Sequence, residues 1–202
     1  MIRLLYVHGY LGKGNGSAAQ HLREALEKSG IRYTLDSPDF PVTNPERMKE
    51  TLDSLLSEGG YDCVIASSLG AFYVMQAAGP ERILVNPALP ENLRTIREKN
   101  PEGNPALTNE FLDALQNRCD TFFGSGAWQE FGPRTRLLYG TLDTVAGNEE
   151  FFDRYFHDES RIFHVDMEHR LDDAGAEKVC EILETMDTQL RPAHLCCHRG
   201  WL

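Results

Sequence analysis

The stretch Tyr61-Asp62-Cys63-Val64-Ile65-Ala66-Ser67-Ser68-Leu69-Gly70-Ala71-Phe72-Tyr73-Val74-Met75-Gln76-Ala77-Ala78 reads as a strand, a tight turn and a helix, with Ser68 at the apex. A nucleophile elbow of this kind needs small residues two before and two after its serine, because the strained turn brings backbones close together. Ala66 and Gly70 meet that need around Ser68, whereas a turn centred on Ser67 would place Ile65 and Leu69 there. Ser68 is therefore the candidate nucleophile. The plain alternative is a strand-end turn whose serine caps the following helix.

Outward from the elbow, apolar, β-branched or aromatic runs recur near residues 2–7, 31–35, 61–66, 82–86, 134–139 and 160–165. Segments of helical period mostly separate them. Strands alternating with helices imply a parallel sheet covered on both faces. The first helix carries Ala18, Leu22, Ala25 and Leu26, the second Met48, Leu52, Leu55 and Leu56, and the last, near 174–187, Ala176, Val179, Cys180 and Leu183. Each set can lay one apolar stripe on the sheet. Asn44-Pro45 supplies a cap and a first-turn proline for the second helix. Between strands four and five, Pro87, Pro90, Pro101 and Pro105 break a polar stretch before Phe111, Leu112 and Leu115. Residues 88–132 read as an insertion, either a lid over the C-terminal edge of the sheet or a connecting helix.

The length of 202 residues suits one domain, expected over residues 1–190, with 191–202 as a C-terminal tail. Hydrophobic residues make up 41% and charged residues 25%, and no apolar run approaches the ~20 residues of a membrane span. The first residues enter a strand pattern at once, without the parts of a signal peptide, so the cytoplasm is the expected location. Five cysteines form an odd set, with Cys63 and Cys180 on buried-looking faces, which fits reduced thiols better than a disulfide framework. A net charge of −11 argues against nucleic acid or anionic lipid as partners. It says little about a small substrate.

A serine needs a base to take its proton and a group to orient that base. The fifth strand runs into Gly140-Thr141-Leu142-Asp143, and the sixth is followed by Asp166-Met167-Glu168-His169. In a parallel sheet these ends share one edge, so Ser68, Asp143 and His169 can converge, in the chain order of the α/β-hydrolase arrangement. Asp166 is the competing acid, placed better for stabilising a turn; Asn86, at the end of strand four, is an amide and cannot be the anionic partner. His21, His157 and His164 read as ordinary histidines, and His8 as a support for its loop. Strand one ends in His8-Gly9-Tyr10, where the backbone N–H of Tyr10, with that of Leu69, could hold an oxyanion. Gly9, Tyr10 and Leu11 are the candidate substrate-binding residues.

These segments resemble the YqiA-like esterases, small serine α/β-hydrolases. The likeness lies in Tyr6-Val7-His8-Gly9-Tyr10, Ala66-Ser67-Ser68-Leu69-Gly70-Ala71-Phe72-Tyr73, Leu84-Val85-Asn86-Pro87-Ala88 and Tyr139-Gly140-Thr141-Leu142-Asp143-Thr144-Val145. It runs over roughly residues 2–187, in order and approximate spacing. The family usually has glycine where Ala66 and Ala71 stand. The resemblance implies a three-layer α/β-hydrolase fold and an esterase or thioesterase that takes a small acyl ester or thioester, with no metal or organic cofactor. It also implies Ser68 as nucleophile, Asp143 as acid, His169 as base and Tyr10 with Leu69 as oxyanion donors. The expected sheet has about six mostly parallel strands in the order 2-1-3-4-5-6. The tail His194-Leu195-Cys196-Cys197-His198 has no counterpart and fits a frayed terminus better than a metal site. Two rival functions stand beside this one. A dinucleotide-binding reading uses Gly12, Gly14 and Gly16 with Asp36 as the ribose acid, although His8-Gly9-Tyr10-Leu11 separates the glycines from their strand. The other is a silent hydrolase fold that binds without turnover.

Overall fold

A computed structural model describes residues 1–190, and the expectations for the tail 191–202 lie outside the described residues. Strands β1 (Ile2–Val7), β2 (Tyr33–Asp36), β3 (Cys63–Ser67), β4 (Glu81–Val85), β5 (Thr135–Gly140) and β6 (Ile162–Val165) form one sheet. Its order is β2-β1-β3-β4-β5-β6, and every pairing is parallel. The intervening helices are α1 (Ser17–Ser29), α2 (Pro45–Gly59), α3 (Leu69–Val74), α4 (Pro90–Lys99), α5 (Asn109–Gly124), α6 (Trp128–Phe131), α7 (Glu149–Phe152) and α8 (Asp173–Leu190).

Alternation along the strands splits the core into two layers. Leu4 and Tyr6 of β1, Cys63 and Ile65 of β3, and Ile83 and Val85 of β4 pack with α1 and α8. Leu5, Val7, Val64, Ala66 and Leu84 face the other way, toward α2, α3, α4 and α5. Burial on both faces is why β3 reads as a nearly continuous apolar run and β4 as one over Ile83–Val85. The stripe of α1 comprises Ala19, Leu22, Ala25 and Leu26, one position round from the expected Ala18. In α2 only Met48 and Leu52 of the expected set are fully buried, and Leu55 and Leu56 pack at the margin. Asn44 caps α2 as its sequence suggests, accepting the N–H of Arg47 at 3.1 Å. Cys63, Cys119 and Cys180 are buried free thiols, and burial pushes the last two up to about 11.

The elbow helix is shorter than its apolar pattern. The sequence stays helix-like to Ala78, yet α3 ends at Val74. Arg82 of β4, only 2% exposed, donates to the carbonyls of Val74, Met75 and Ala77 at 3.0, 3.4 and 3.1 Å. A buried guanidinium thus serves carbonyls at and just beyond the end of α3. Residues 88–132 form α4, α5 and α6, and Leu93, Phe111, Leu115 and Phe122 bury into the layer that holds α2.

The register decides what meets at the C-terminal edge. Val7 pairs with Ala66, Ser67 with Val85, Val85 with Leu138, and Gly140 with Val165. The residues that follow the strand ends, His8, Ser68, Asn86, Thr141 and Asp166, therefore leave the sheet at the same edge, stepped by up to three residues, with β5 and β6 running furthest.

Candidate active site

Ser68 stands where β3 gives way to α3, with φ 54° and ψ −121°. That conformation is costly for a residue with a side chain, of order 1–3 kcal/mol, and the surroundings fix it. The N–H of Ser68 donates to Val85 O at 3.0 Å, and its carbonyl accepts from Ala88 N at 3.2 Å. Gly70 is required for a reason the sequence did not display: a Cβ there would lie 2.5 Å from His8 O and 2.6 Å from Val7 O. The tight approach is to the end of β1, beyond the turn's own arms. The Ser68 hydroxyl makes no capping bond to α3, which removes the plain reading of this serine.

The hydroxyl instead faces His169, with Ser68 Oγ and His169 Nε2 2.9 Å apart. The other ring nitrogen, Nδ1, lies 2.9 Å from Asp143 Oδ2. A carboxylate can only accept, so Nδ1 carries the proton and donates, and Nε2 is left to accept from the serine. Asp143 is set by the turn after β5. Its Oδ1 accepts from Val145 N at 2.7 Å and Ala146 N at 3.1 Å, and its side chain is 4% exposed. Burial by itself would raise the Asp143 pKa; the bonds from His169, Val145 and Ala146 outweigh it and hold the carboxyl below its ordinary value. Asp166 is engaged elsewhere, accepting from Thr141 Oγ1 at 2.6 Å.

Asn86 has a part that sequence reasoning missed. At φ 43° and 1% exposed, it donates through Nδ2 to the carbonyls of Glu168 and His169, both at 3.0 Å. Its Oδ1 accepts from Gly140 N at 2.7 Å. One amide thereby ties the end of β5, which leads to Asp143, to the loop that carries His169. An aspartate could accept from Gly140 but would face two carbonyls with no proton to give. Its place at the end of β4 was the signal available in the sequence.

The loop after β1 closes the other side. Phe40 N donates to His8 Nε2 at 2.9 Å, so His8 Nδ1 is the protonated nitrogen and donates to Gly9 O at 3.0 Å. His8 is thus a loop support with both nitrogens engaged. A Cβ on Gly9 would come within 2.8 Å of Ser68 Cβ and 3.3 Å of Leu69 N, so the glycine allows this loop to lie against the elbow. Among the described residues no acceptor engages the backbone N–H of Tyr10 or Leu69. A cavity of about 270 Å³ opens here, lined by Gly9, Tyr10, Leu11, Ser68 and His169 among others. No residue of 88–132 lines it.

The features of the dinucleotide reading are used otherwise. Gly14 N donates to Asp39 Oδ1 at 2.6 Å, which anchors the glycine-containing loop to the segment after β2. Asp36, the required ribose acid, accepts from Tyr61 Oη at 2.8 Å and pairs with Arg3. His21 pairs with Asp173 and His164 with Glu149, away from Ser68.

The sheet order, the helices on both faces and the elbow after β3 define an α/β-hydrolase fold. The chain is similar to the esterase domain of a Rhodothermus marinus protein, at 18% identity over 93% of this chain and 87% of that one, with a TM-score of 0.63. It is similar to Est1E from Butyrivibrio proteoclasticus, solved with ferulic acid bound, at 16% identity over 94% and 89% of the two chains and a TM-score of 0.61. It also resembles mouse alpha/beta hydrolase domain-containing protein 10, at 16% identity over 93% and 90% and a TM-score of 0.55. No protein-family model and no curated protein matches the chain.

Proposed function

We propose that this chain is a serine hydrolase that cleaves the carboxylic ester or thioester bond of a small acyl substrate, as its resemblance to the YqiA-like esterases implies. The observation that carries the reading is the continuous hydrogen-bonded line from Asp143 through His169 to the strained Ser68, at 2.9 Å per link. Ser68 Oγ attacks the acyl carbonyl carbon while its proton passes to His169 Nε2. Asp143 stabilises the imidazolium so formed. The N–H groups of Tyr10 and Leu69 receive the negative carbonyl oxygen, each supplying about 3 kcal/mol to the transition state. His169 then protonates the departing alcohol or thiol, leaving an acyl-serine. Water attacks this ester, its proton goes to His169, and collapse frees the acid and returns a proton to Ser68.

Hydrolysis of p-nitrophenyl acyl esters tests the reading. Wild type is expected to turn them over, and Ser68→Ala to lose about four powers of ten in kcat or more. A wild type that cleaves no such ester but gains melting temperature with NAD would point to the dinucleotide reading, and one that does neither to a silent binding protein.

A further inference from the structure

The walls of the catalytic cavity carry a charge opposite to that of the chain. Acidic residues outnumber basic ones by 31 to 20, yet no aspartate or glutamate lines the cavity beside Ser68. Its charged lining residues are Lys13, from the loop after β1, and Arg170, the residue after His169. Both are exposed, and among the described residues neither side chain has a hydrogen bond or an ion pair. Arg94 pairs with Asp113 and Arg161 with Asp158, while the exposed Arg32, Arg47 and Arg154 have no ion pair among the described residues either. What distinguishes Lys13 and Arg170 is that both line one cavity whose wall holds no acid. The first turn of α1, at Ser17 and Ala18, lines the same cavity and also contains no acid. In a chain this acidic, two unpaired cations on one small cavity leave an anion as the missing partner.

We infer that the substrate's leaving group bears an anionic oxygen group, a carboxylate or a phosphate, that Lys13 and Arg170 hold beside the triad. The inference rests on the esterase reading above and names the substrate class for that site. The side of the scissile bond follows from the chemistry. His169 protonates the departing atom, so the leaving group lies against His169, and Arg170 is joined to it directly. A cavity of about 270 Å³, at or below the small end of the usual ~300–1,000 Å³ of ligand pockets, suits a small alcohol or thiol. Lys13 faces it from the β1 loop, so the anion meets positive charge from two chain segments. Arg170 can engage either anion in two-point fashion, and Lys13 acts as a point charge.

The test compares four esters: n-propyl butyrate, the butyryl ester of 3-hydroxypropionate, the butyryl ester of ethylene glycol phosphate, and n-propyl hemiglutarate, which carries its charge on the acyl side. Wild type should favour one or both leaving-group anions over n-propyl butyrate by about tenfold or more in kcat/KM, and added salt should erode the preference. The two butyryl arms tell carboxylate from phosphate. In Lys13→Gln and Arg170→Gln the ratio of anionic to neutral ester should fall toward one; the ratio cancels any general damage to the triad. A neutral ester preferred or equal to both, a preference that follows the acyl-side charge, or a ratio unchanged in both variants overturns the proposal and leaves the esterase reading intact. Calorimetry of the same esters with Ser68→Ala gives an answer without turnover. Tighter binding of the leaving-group anions supports the proposal, and equal affinity overturns it. Absence of hydrolysis of all four, with no acylation of Ser68, would count against the esterase reading alone.

Discussion

The turn at Ser68 is legible in the sequence because it imposes size limits on its neighbours, and the approach of Asp143 and His169 to it because each lies just past a strand. Asn86 could not be read the same way. Its role depends on which loops β4 lies between, and strand order is a tertiary property that a single residue type does not record. Removing it should show what it does. In Asn86→Ala, the carbonyls of Glu168 and His169 lose their donor, and kcat is expected to fall about 10²-fold with KM little changed, as for a base displaced by about an ångström. An unchanged kcat in steady-state assays would mean that the His169 loop holds itself. Asp143 gives a prediction in pH. Its folded pKa is depressed, so its contribution to stability is complete above the unfolded carboxylate value and is lost as pH falls through the lower folded value. Urea midpoints of wild type and Asp143→Asn should therefore differ fully above about pH 5 and converge as pH falls below the ordinary aspartate value of about 4. A constant difference over that range would contradict the assignment.

At the scale of elements, the apolar periods identified every strand and the main helices, and they misplaced ends where a distant group intervened. Past Val74 the helix after Ser68 gives way to tighter turns, with Gln76 N donating to Tyr73 O and Ala77 N to Val74 O, and Arg82, from the next strand, holds the carbonyls of Val74, Met75 and Ala77. A pattern reader sees only the alanines that follow. The start of α2 was legible because its cap is local: Asn44→Ala should lower stability by about 1 kcal/mol, seen as a smaller denaturant midpoint at unchanged m value. Gly70 belongs to the same scale, since it sets how closely α3 approaches β1. Gly70→Ala would drive a Cβ into the backbone of Val7 and His8, so a loss of about 1–3 kcal/mol is expected, with the elbow shifted and the proposed esterase activity reduced together. Retained stability and activity would show that the elbow can give way.

Across the whole molecule, the parallel sheet does the gathering. Residues 68, 143 and 169 meet because β3, β5 and β6 end at one edge of the sheet, with β4 between β3 and β5, and the Asn86 amide crosses that gap. Alternation implies a parallel sheet covered on both faces; it does not give the position of residues 88–132. Their amphipathic helices satisfy their apolar faces against the layer holding α2, and nothing in their own sequence distinguishes that surface from the rim of the cavity. Among the described residues no helix is long and apolar enough to cross a membrane. The proposed function requires that Asp143 and His169 make Ser68 reactive. Incubation with a fluorophosphonate followed by peptide mapping should give a single adduct on Ser68, absent in Ser68→Ala and slowed by about 10²-fold or more in His169→Ala. An unlabelled Ser68, or labelling that proceeds equally well without His169, would contradict that requirement.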